Sequence, residues 1–239
     1  MRTLRFFVFN FLSWLTVVPW ALLVLLVWPV GSKYSYAVAR NWTRIVSLLA
    51  KFVCGLSWHV EGFENFPDKP CVFFVKHSSA FETYMQLLLL PRSCWVLKKE
   101  LLYVPFFGWT LIPLKAIAID RSKGSKAVTQ VIEKGKQRLA EGIFVCIFPE
   151  GTRMAAGTTR RYGQSGTLLA QAADAVIVPI AHNAGYHWPR RGMRIIPGEV
   201  TFVVGKPVDP AGRDPREVNQ EIQNWVEKTV ADIVAKDRP

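Results

Sequence analysis

From residue 6 to residue 30 the chain carries no charged side chain, and only Asn10, Ser13, Thr16, Pro19 and Pro29 interrupt an aliphatic and aromatic run. At ~1.5 Å of helical rise per residue such a stretch is long enough for a hydrocarbon core of ~30 Å. Two arrangements satisfy it: a helix that spans the bilayer, or one that lies in the interface, bent at Pro19. A secretory signal fits less well, because the run is longer than a usual signal core and no small-residue cleavage pattern stands out near Gly31-Ser32. Arg2 and Arg5 precede the run, and Lys33, Arg40, Arg44 and Lys51 follow it. If the helix spans, that excess puts the body of the protein on the cytoplasmic face of a cytoplasmic membrane.

The remainder of the 239 residues suffices for one sizeable domain. Half of the residues are hydrophobic, which excludes a disordered chain. Lys and Arg number 30 against 18 acidic residues, a formal charge of +12, so the partners are polyanions: nucleic acid, anionic headgroups or phosphorylated substrates. With a lipid-length apolar run beside that charge and no nucleic-acid recognition motif, a membrane is the expected partner and nucleic acid is not. Cys54, Cys71, Cys94 and Cys146 form no CxxC pair and read as small buried hydrophobes of a reducing compartment. His182 and His187 lack a third ligand at a sensible spacing, so no metal site is expected.

Between residues 34 and 58, Val38, Trp42, Ile45, Leu49, Phe52, Val53 and Leu56 recur at three- and four-residue steps, with Arg40, Arg44 and Lys51 on another face. That pattern predicts an amphipathic helix, covering the domain, touching lipid or both. Thereafter short apolar runs at 71–75, 94–97, 116–119, 143–148, 175–180 and 201–204 alternate with helical stretches at 81–90, 123–141, 167–173 and 216–236. The fold class expected is α/β, a mostly parallel central sheet flanked by helices, with an N-terminal apolar, membrane-associated helical segment. The chain divides into a membrane-anchoring region, residues 1–56, and a domain at residues 57–239.

The chain has no GxxxxGK[ST], no GxGxxG after a strand and no GxSxG, which argues against nucleotide-driven chemistry and a hydrolase serine. Directly after the run ending at Val75 comes Lys76-His77-Ser78-Ser79-Ala80-Phe81-Glu82-Thr83. On one regular helix His77 and Glu82 would stand about 140° apart, so they meet only if His77 sits in the loop and Glu82 in the first helical turn. A carboxylate so placed orients an imidazole that takes a proton from a hydroxyl. The alternative is a surface histidine beside an N-cap serine, with Glu82 complementing the helix dipole. A second run, 143–148, leads into Pro149-Glu150-Gly151-Thr152-Arg153, where glycine allows close approach and arginine suits phosphate.

With these segments in view, residues 57 to 210 resemble the lysophospholipid and glycerophosphate acyltransferase family, in particular its bacterial 1-acylglycerol-3-phosphate acyltransferases. His77 to Glu82 matches its His-x4-Asp block. Lys98-Lys99-Glu100-Leu101, Pro105-Phe106-Phe107-Gly108-Trp109 and Ile119-Asp120-Arg121 look like the second block, Phe148-Pro149-Glu150-Gly151-Thr152-Arg153 is the third, and Val178-Pro179-Ile180 before Ala181-His182-Asn183 looks like the fourth. Two departures stand out: Glu82 where the family usually has Asp, and Gly163-Gln164-Ser165 where many relatives carry lysine.

The resemblance implies an O-acyltransferase that moves a fatty acyl group from acyl-CoA or acyl carrier protein (ACP) to a lysophospholipid hydroxyl, without a cofactor, in phospholipid biosynthesis. It implies His77 as general base oriented by Glu82. The acceptor is then held by Glu150, Gly151, Thr152 and Arg153, with Arg121 and Lys98 as further phosphate partners. A different acceptor, such as glycerol-3-phosphate or another lysolipid, and a catalytically silent protein that binds anionic lipid remain as alternatives. Arg190, Arg191 and Arg194 suit either an anionic leaflet or a plain solvated loop.

Overall fold

The apolar run folds as one helix, α1 (Arg2–Val27), which continues through Pro19 and closes in a 3-10 turn at Trp28–Val30. By length and composition Arg2–Val30 is able to cross a bilayer. The computed structural model describes residues 2–236; Met1 and residues 237–239, at the outer ends of the two expected regions, lie outside it. Helix α2 (Ser32–Cys54) folds back along α1. Ser35 Oγ donates to the Val24 carbonyl at 3.0 Å and Trp42 Nε1 donates to Thr16 Oγ1 at 3.1 Å, which fixes the antiparallel register.

The amphipathic helix is shorter than its periodicity predicts. Gly55 adopts φ 67°, and its N–H returns to the Ala50 and Lys51 carbonyls, a left-handed cap that ends α2. Leu56 and Trp58 therefore belong to a strand, β1 (Leu56–Glu61), in which apolar Leu56, Trp58 and Val60 alternate with polar residues. Next come β2 (Val72–Val75), α3 (Phe81–Leu89), β3 (Ser93–Lys98), α4 (Phe107–Thr110), β4 (Ile117–Ile119), α5 (Ser125–Ala140) and β5 (Phe144–Ile147). The chain ends with α6 (Ser165–Ala172), β6 (Ile177–His182), α7 (Ala184–His187), β7 (Gly198–Val204) and α8 (Pro215–Lys236).

The seven strands form one sheet in the order β1-β7-β6-β2-β5-β3-β4. Every pairing is parallel except β6 with β7. Central β2 is buried on both faces, and its alternating side chains divide the core. Phe73 and Val75 pack toward α2 and α3, joined by Phe9 of α1, while Val72 and Phe74 pack toward α5, α6 and α8. The result is a sheet covered by helices on both faces, as the unbroken apolar strand runs require. All four cysteines are buried free thiols.

Candidate active site

Strands β6, β2, β5, β3 and β4 run in one direction, so their carboxyl ends deliver loops to a single edge of the sheet. His77 lies in the loop after β2 and Glu82 in the first turn of α3, the arrangement in which they can meet. Ala80 precedes the helix, and its methyl group cannot cap it. Ser79 Oγ accepts the Phe81 N–H at 3.1 Å, and Glu82 Oε1 reaches back to accept the Ser78 and Ser79 N–H groups at 3.1 and 3.0 Å. The same oxygen lies 2.8 Å from His77 Nδ1. Complementing the helix start and gripping the imidazole are thus one arrangement rather than two alternatives.

A carboxylate only accepts, so Nδ1 carries the proton and Nε2 keeps its lone pair. The His77 ring is stacked on Phe148 with centroids 3.9 Å apart. Glu82 is fully buried. Burial pushes its carboxyl up, but the hydrogen bonds from His77 and the Ser79 N–H outweigh that and hold it below the ordinary carboxylate range.

Glu150 holds the same histidine by its main chain. Its Oε2 accepts the His77 N–H at 2.7 Å and its Oε1 accepts from Lys76 Nζ at 3.2 Å. Lys76 is 2 % exposed and donates as well to Glu227 Oε1 of α8 at 2.6 Å and to the Thr158 carbonyl at 3.3 Å. Burial pushes the Glu150 carboxyl up to about 7, against the pull of Lys76 and the His77 N–H. The His77 carbonyl accepts the Met154 N–H at 2.6 Å, so both main-chain groups of the histidine are tied to the segment after β5. Behind them, buried His182 donates from Nε2 to the Lys76 carbonyl at 2.7 Å and accepts the Ala184 N–H at Nδ1. Burial lowers its pKa and keeps it neutral, a strut beneath the site.

The other expected residues are brought to the same edge, though not all face the same way. A cavity of about 800 Å³ opens there, lined by His77, Gly151, Thr152, Arg153, Arg121 and Lys98, whereas buried Glu150 is turned away toward His77 and Lys76. Gly151 has φ 70° and nothing within 4 Å of where a side chain would begin; the backbone conformation, not close approach, calls for glycine there. Its carbonyl accepts from the Arg121 guanidinium. Residues 163–165, where the lysine of many relatives is missing, do not line the cavity. Gly163 is instead bonded to the Pro149 carbonyl and to Asn219.

The far wall of the cavity is apolar and comes from the N-terminal helices. Trp14, Val17, Ala21 and Val24 of α1 and Trp42 of α2 face Leu87 of α3 and Leu111 and Leu114 beyond α4. Arg190 and Arg191 join the lining, so among the described residues five Lys and Arg side chains line the cavity and no Asp or Glu does. Reading the residues in order picked out neither these two arginines as cavity groups nor Lys76 and Glu227 as a pair. A lysine directly after a fully apolar strand was the available signal, since a buried cation requires a carboxylate.

The arrangement is a Glu82-held histidine, its Nε2 able to take up a proton, beside an apolar, cation-lined chamber on an α/β sheet, and it suits a ligand that is both lipid-like and anionic. The acyltransferase family model matches residues 57–183, and the chain belongs to that family. The 1-acyl-sn-glycerol-3-phosphate acyltransferase of Pseudomonas aeruginosa is 43 % identical over 208 residues, covering 86 % of this chain and 80 % of that one. The protein of the same description from Cocos nucifera is 25 % identical, covering 87 % and 68 %. In fold the chain is similar to the crystal structure of the 1-acyl-sn-glycerophosphate acyltransferase of Thermotoga maritima, with a TM-score of 0.82 at 22 % identity over 97 % of this chain and 95 % of that one.

Proposed function

We propose that the protein transfers a fatty acyl group from acyl-CoA or acyl-ACP to the free hydroxyl of 1-acyl-sn-glycerol-3-phosphate, giving phosphatidic acid. The observation that carries this reading is the chamber itself: apolar walls from a lipid-length helix and five lining cations, with no lining carboxylate among the described residues, enclose a Glu82-held histidine.

His77 Nε2 takes the acceptor's hydroxyl proton as the oxygen attacks the thioester carbonyl. The ring becomes an imidazolium, which Glu82 stabilises across the 2.8 Å bond. The tetrahedral intermediate then expels the thiolate, which receives the proton from His77, so the histidine ends as it began and no acyl-enzyme forms. Arg153, Arg121 and Lys98, with Gly151 and Thr152, hold the acceptor's phosphate, and Glu150 contributes from behind by fixing the His77 main chain. Aligning hydroxyl and carbonyl within ~3.5 Å supplies much of the rate.

Each acyl methylene removed from water is worth ~0.8 kcal/mol, so a long-chain acceptor stays in lipid and the enzyme comes to it. Residues 1–56 serve as the anchor and residues 57–239 as the acyltransferase domain at the cytoplasmic face of the membrane. Exposed Phe7, Phe11, Leu15, Leu22 and Leu26 on α1 suit that attachment. The test is phosphatidic acid formation from a long-chain acyl-CoA by detergent-solubilised protein, with His77→Ala expected to lose about 10³-fold in kcat. Folded wild type that transfers to this acceptor from neither CoA nor carrier-protein thioesters would rule the reaction out.

A further inference from the structure

The five cations that line the cavity come from loops on either side of the one that carries His77. In the sheet, β2 lies between β6 and β5, so the loop that carries His77 has the β5, β3 and β4 loops on one side and the β6–β7 connection on the other. Arg153, Lys98 and Arg121 come from the first side, Arg190 and Arg191 from the second.

The connection bearing Arg190 and Arg191 is pinned at both ends. Buried Trp188 sits edge-on to Phe9 at 5.4 Å and stacks on Tyr84 at 6.1 Å, while buried Ile195 and the bond from the Ile196 N–H to the His187 carbonyl anchor the return. Arg190 and Arg191 stand exposed between these anchors and line the cavity. Among the described residues neither guanidinium has a hydrogen-bond or ion-pair partner, and the cavity offers no carboxylate to engage them.

The proposed reaction brings two phosphate-bearing molecules to one histidine. The acceptor's phosphate is on the carbon next to the one that bears the reacting hydroxyl, so it binds close to His77. Arg153 satisfies that, because the next residue, Met154, is bonded to the His77 carbonyl. The donor's phosphate is remote from its sulfur, at the other end of the pantetheine arm. Paired, planar guanidiniums suit a phosphate held bidentately. We propose that Arg190 and Arg191 form the subsite for the phosphate of the donor's phosphopantetheine arm, on the side of His77 opposite the acceptor's phosphate. The proposal rests on the acyl-transfer reading, and it uses the group that CoA and acyl carrier protein share.

The test is equilibrium binding to full-length, detergent-solubilised protein of donor analogues that cannot be turned over. Dodecyl-CoA thioether, carrier protein bearing the same thioether, and dodecyl-pantetheine thioether, which lacks the phosphate, are compared with 1-acyl-glycerol-3-phosphate. The expected result is that R190Q/R191Q binds both phosphate-bearing donors about tenfold more weakly, and pantetheine thioether and acceptor as wild type does. The R190K/R191K variant, which keeps the charge, should recover part of the loss.

An equal loss with the pantetheine thioether, a loss with the acceptor, or a loss with CoA alone overturns the assignment. So does an unchanged donor affinity with weakened binding to phosphatidylglycerol vesicles, which gives the arginines to the lipid surface instead. Since no analogue reacts, the binding result stands apart from turnover. Wild type that binds donors through these arginines yet makes no phosphatidic acid fails the acceptor reading alone.

Discussion

Glu82 and Glu150 approach His77 from opposite sides, one at the ring and one at the main-chain N–H, and both are almost wholly buried. Their acidities nevertheless move in opposite directions. Glu82 concentrates three donors on one oxygen and is held below the ordinary carboxylate range. Glu150 has a lysine 3.2 Å away, but Glu227 lies nearer to that lysine, at 2.6 Å, and burial dominates. Depth of burial is therefore a poor guide to the charge of a carboxylate; what decides is how many donors are its own. The ring thus meets a firmly ionised partner, and the backbone meets one that titrates to about 7.

The largest effect is expected on the ring side. Glu82→Gln keeps the volume and removes the charge, and kcat should fall about 10³-fold with the fold intact by circular dichroism. Glu82→Asp, which withdraws the carboxylate from His77 and both serine N–H groups, should fall about tenfold. Wild-type kcat in Glu82→Gln would falsify the orienting role.

On the backbone side the first cost is to stability. Lys76→Met leaves two carboxylates without their shared cation, and thermal unfolding should show a loss of about 3 kcal/mol. Stability equal to wild type would mean that the cluster is dispensable. Glu227→Gln should cost about 1 kcal/mol, because 28 % of that side chain is exposed, and should lower kcat only a few-fold. An effect as large as that of Lys76→Met would reverse the ranking of the two partners.

The smallest effect is a slope. A carboxyl raised from 4.5 to about 7 makes the native state the better proton binder, so Glu150 lowers stability as pH rises through that window and levels off above it. Glu82 works the other way: its contribution is complete above the unfolded value of 4.5 and is lost as pH falls through its lowered folded value. Tm measured from pH 4.5 to 7.5 should therefore decline less steeply in Glu150→Gln than in wild type, and an unchanged decline would remove Glu150 as its source.

Much of this was readable in the residues. The apolar runs gave six of the seven strands, because a strand buried on both faces has no polar alternation to hide it. The His77–Glu82 pair was one of two readings that a histidine five residues before an acid allowed, and the segment at 148–153 with the family resemblance favoured it. Strand β1 was missed because Leu56 continues the helical spacing of α2, although Gly55 marks the stop and Leu56, Trp58 and Val60 alternate. Glu227 was out of reach, since nothing near residue 76 says that a residue 151 positions later will approach it. The inward turn of Glu150 was equally hidden: the residue type suits both a ligand contact and a backbone clamp, and only the fold chooses.

α1 contributes a wall of the cavity through Trp14, Val17, Ala21 and Val24 and turns Phe7, Phe11, Leu15, Leu22 and Leu26 outward. A helix committed on both sides is not a detachable tether. Truncating the chain at Gly31 to obtain a water-soluble fragment would leave the chamber without one side. Grafting on an unrelated hydrophobic helix would replace the apolar length without rebuilding the wall of the cavity.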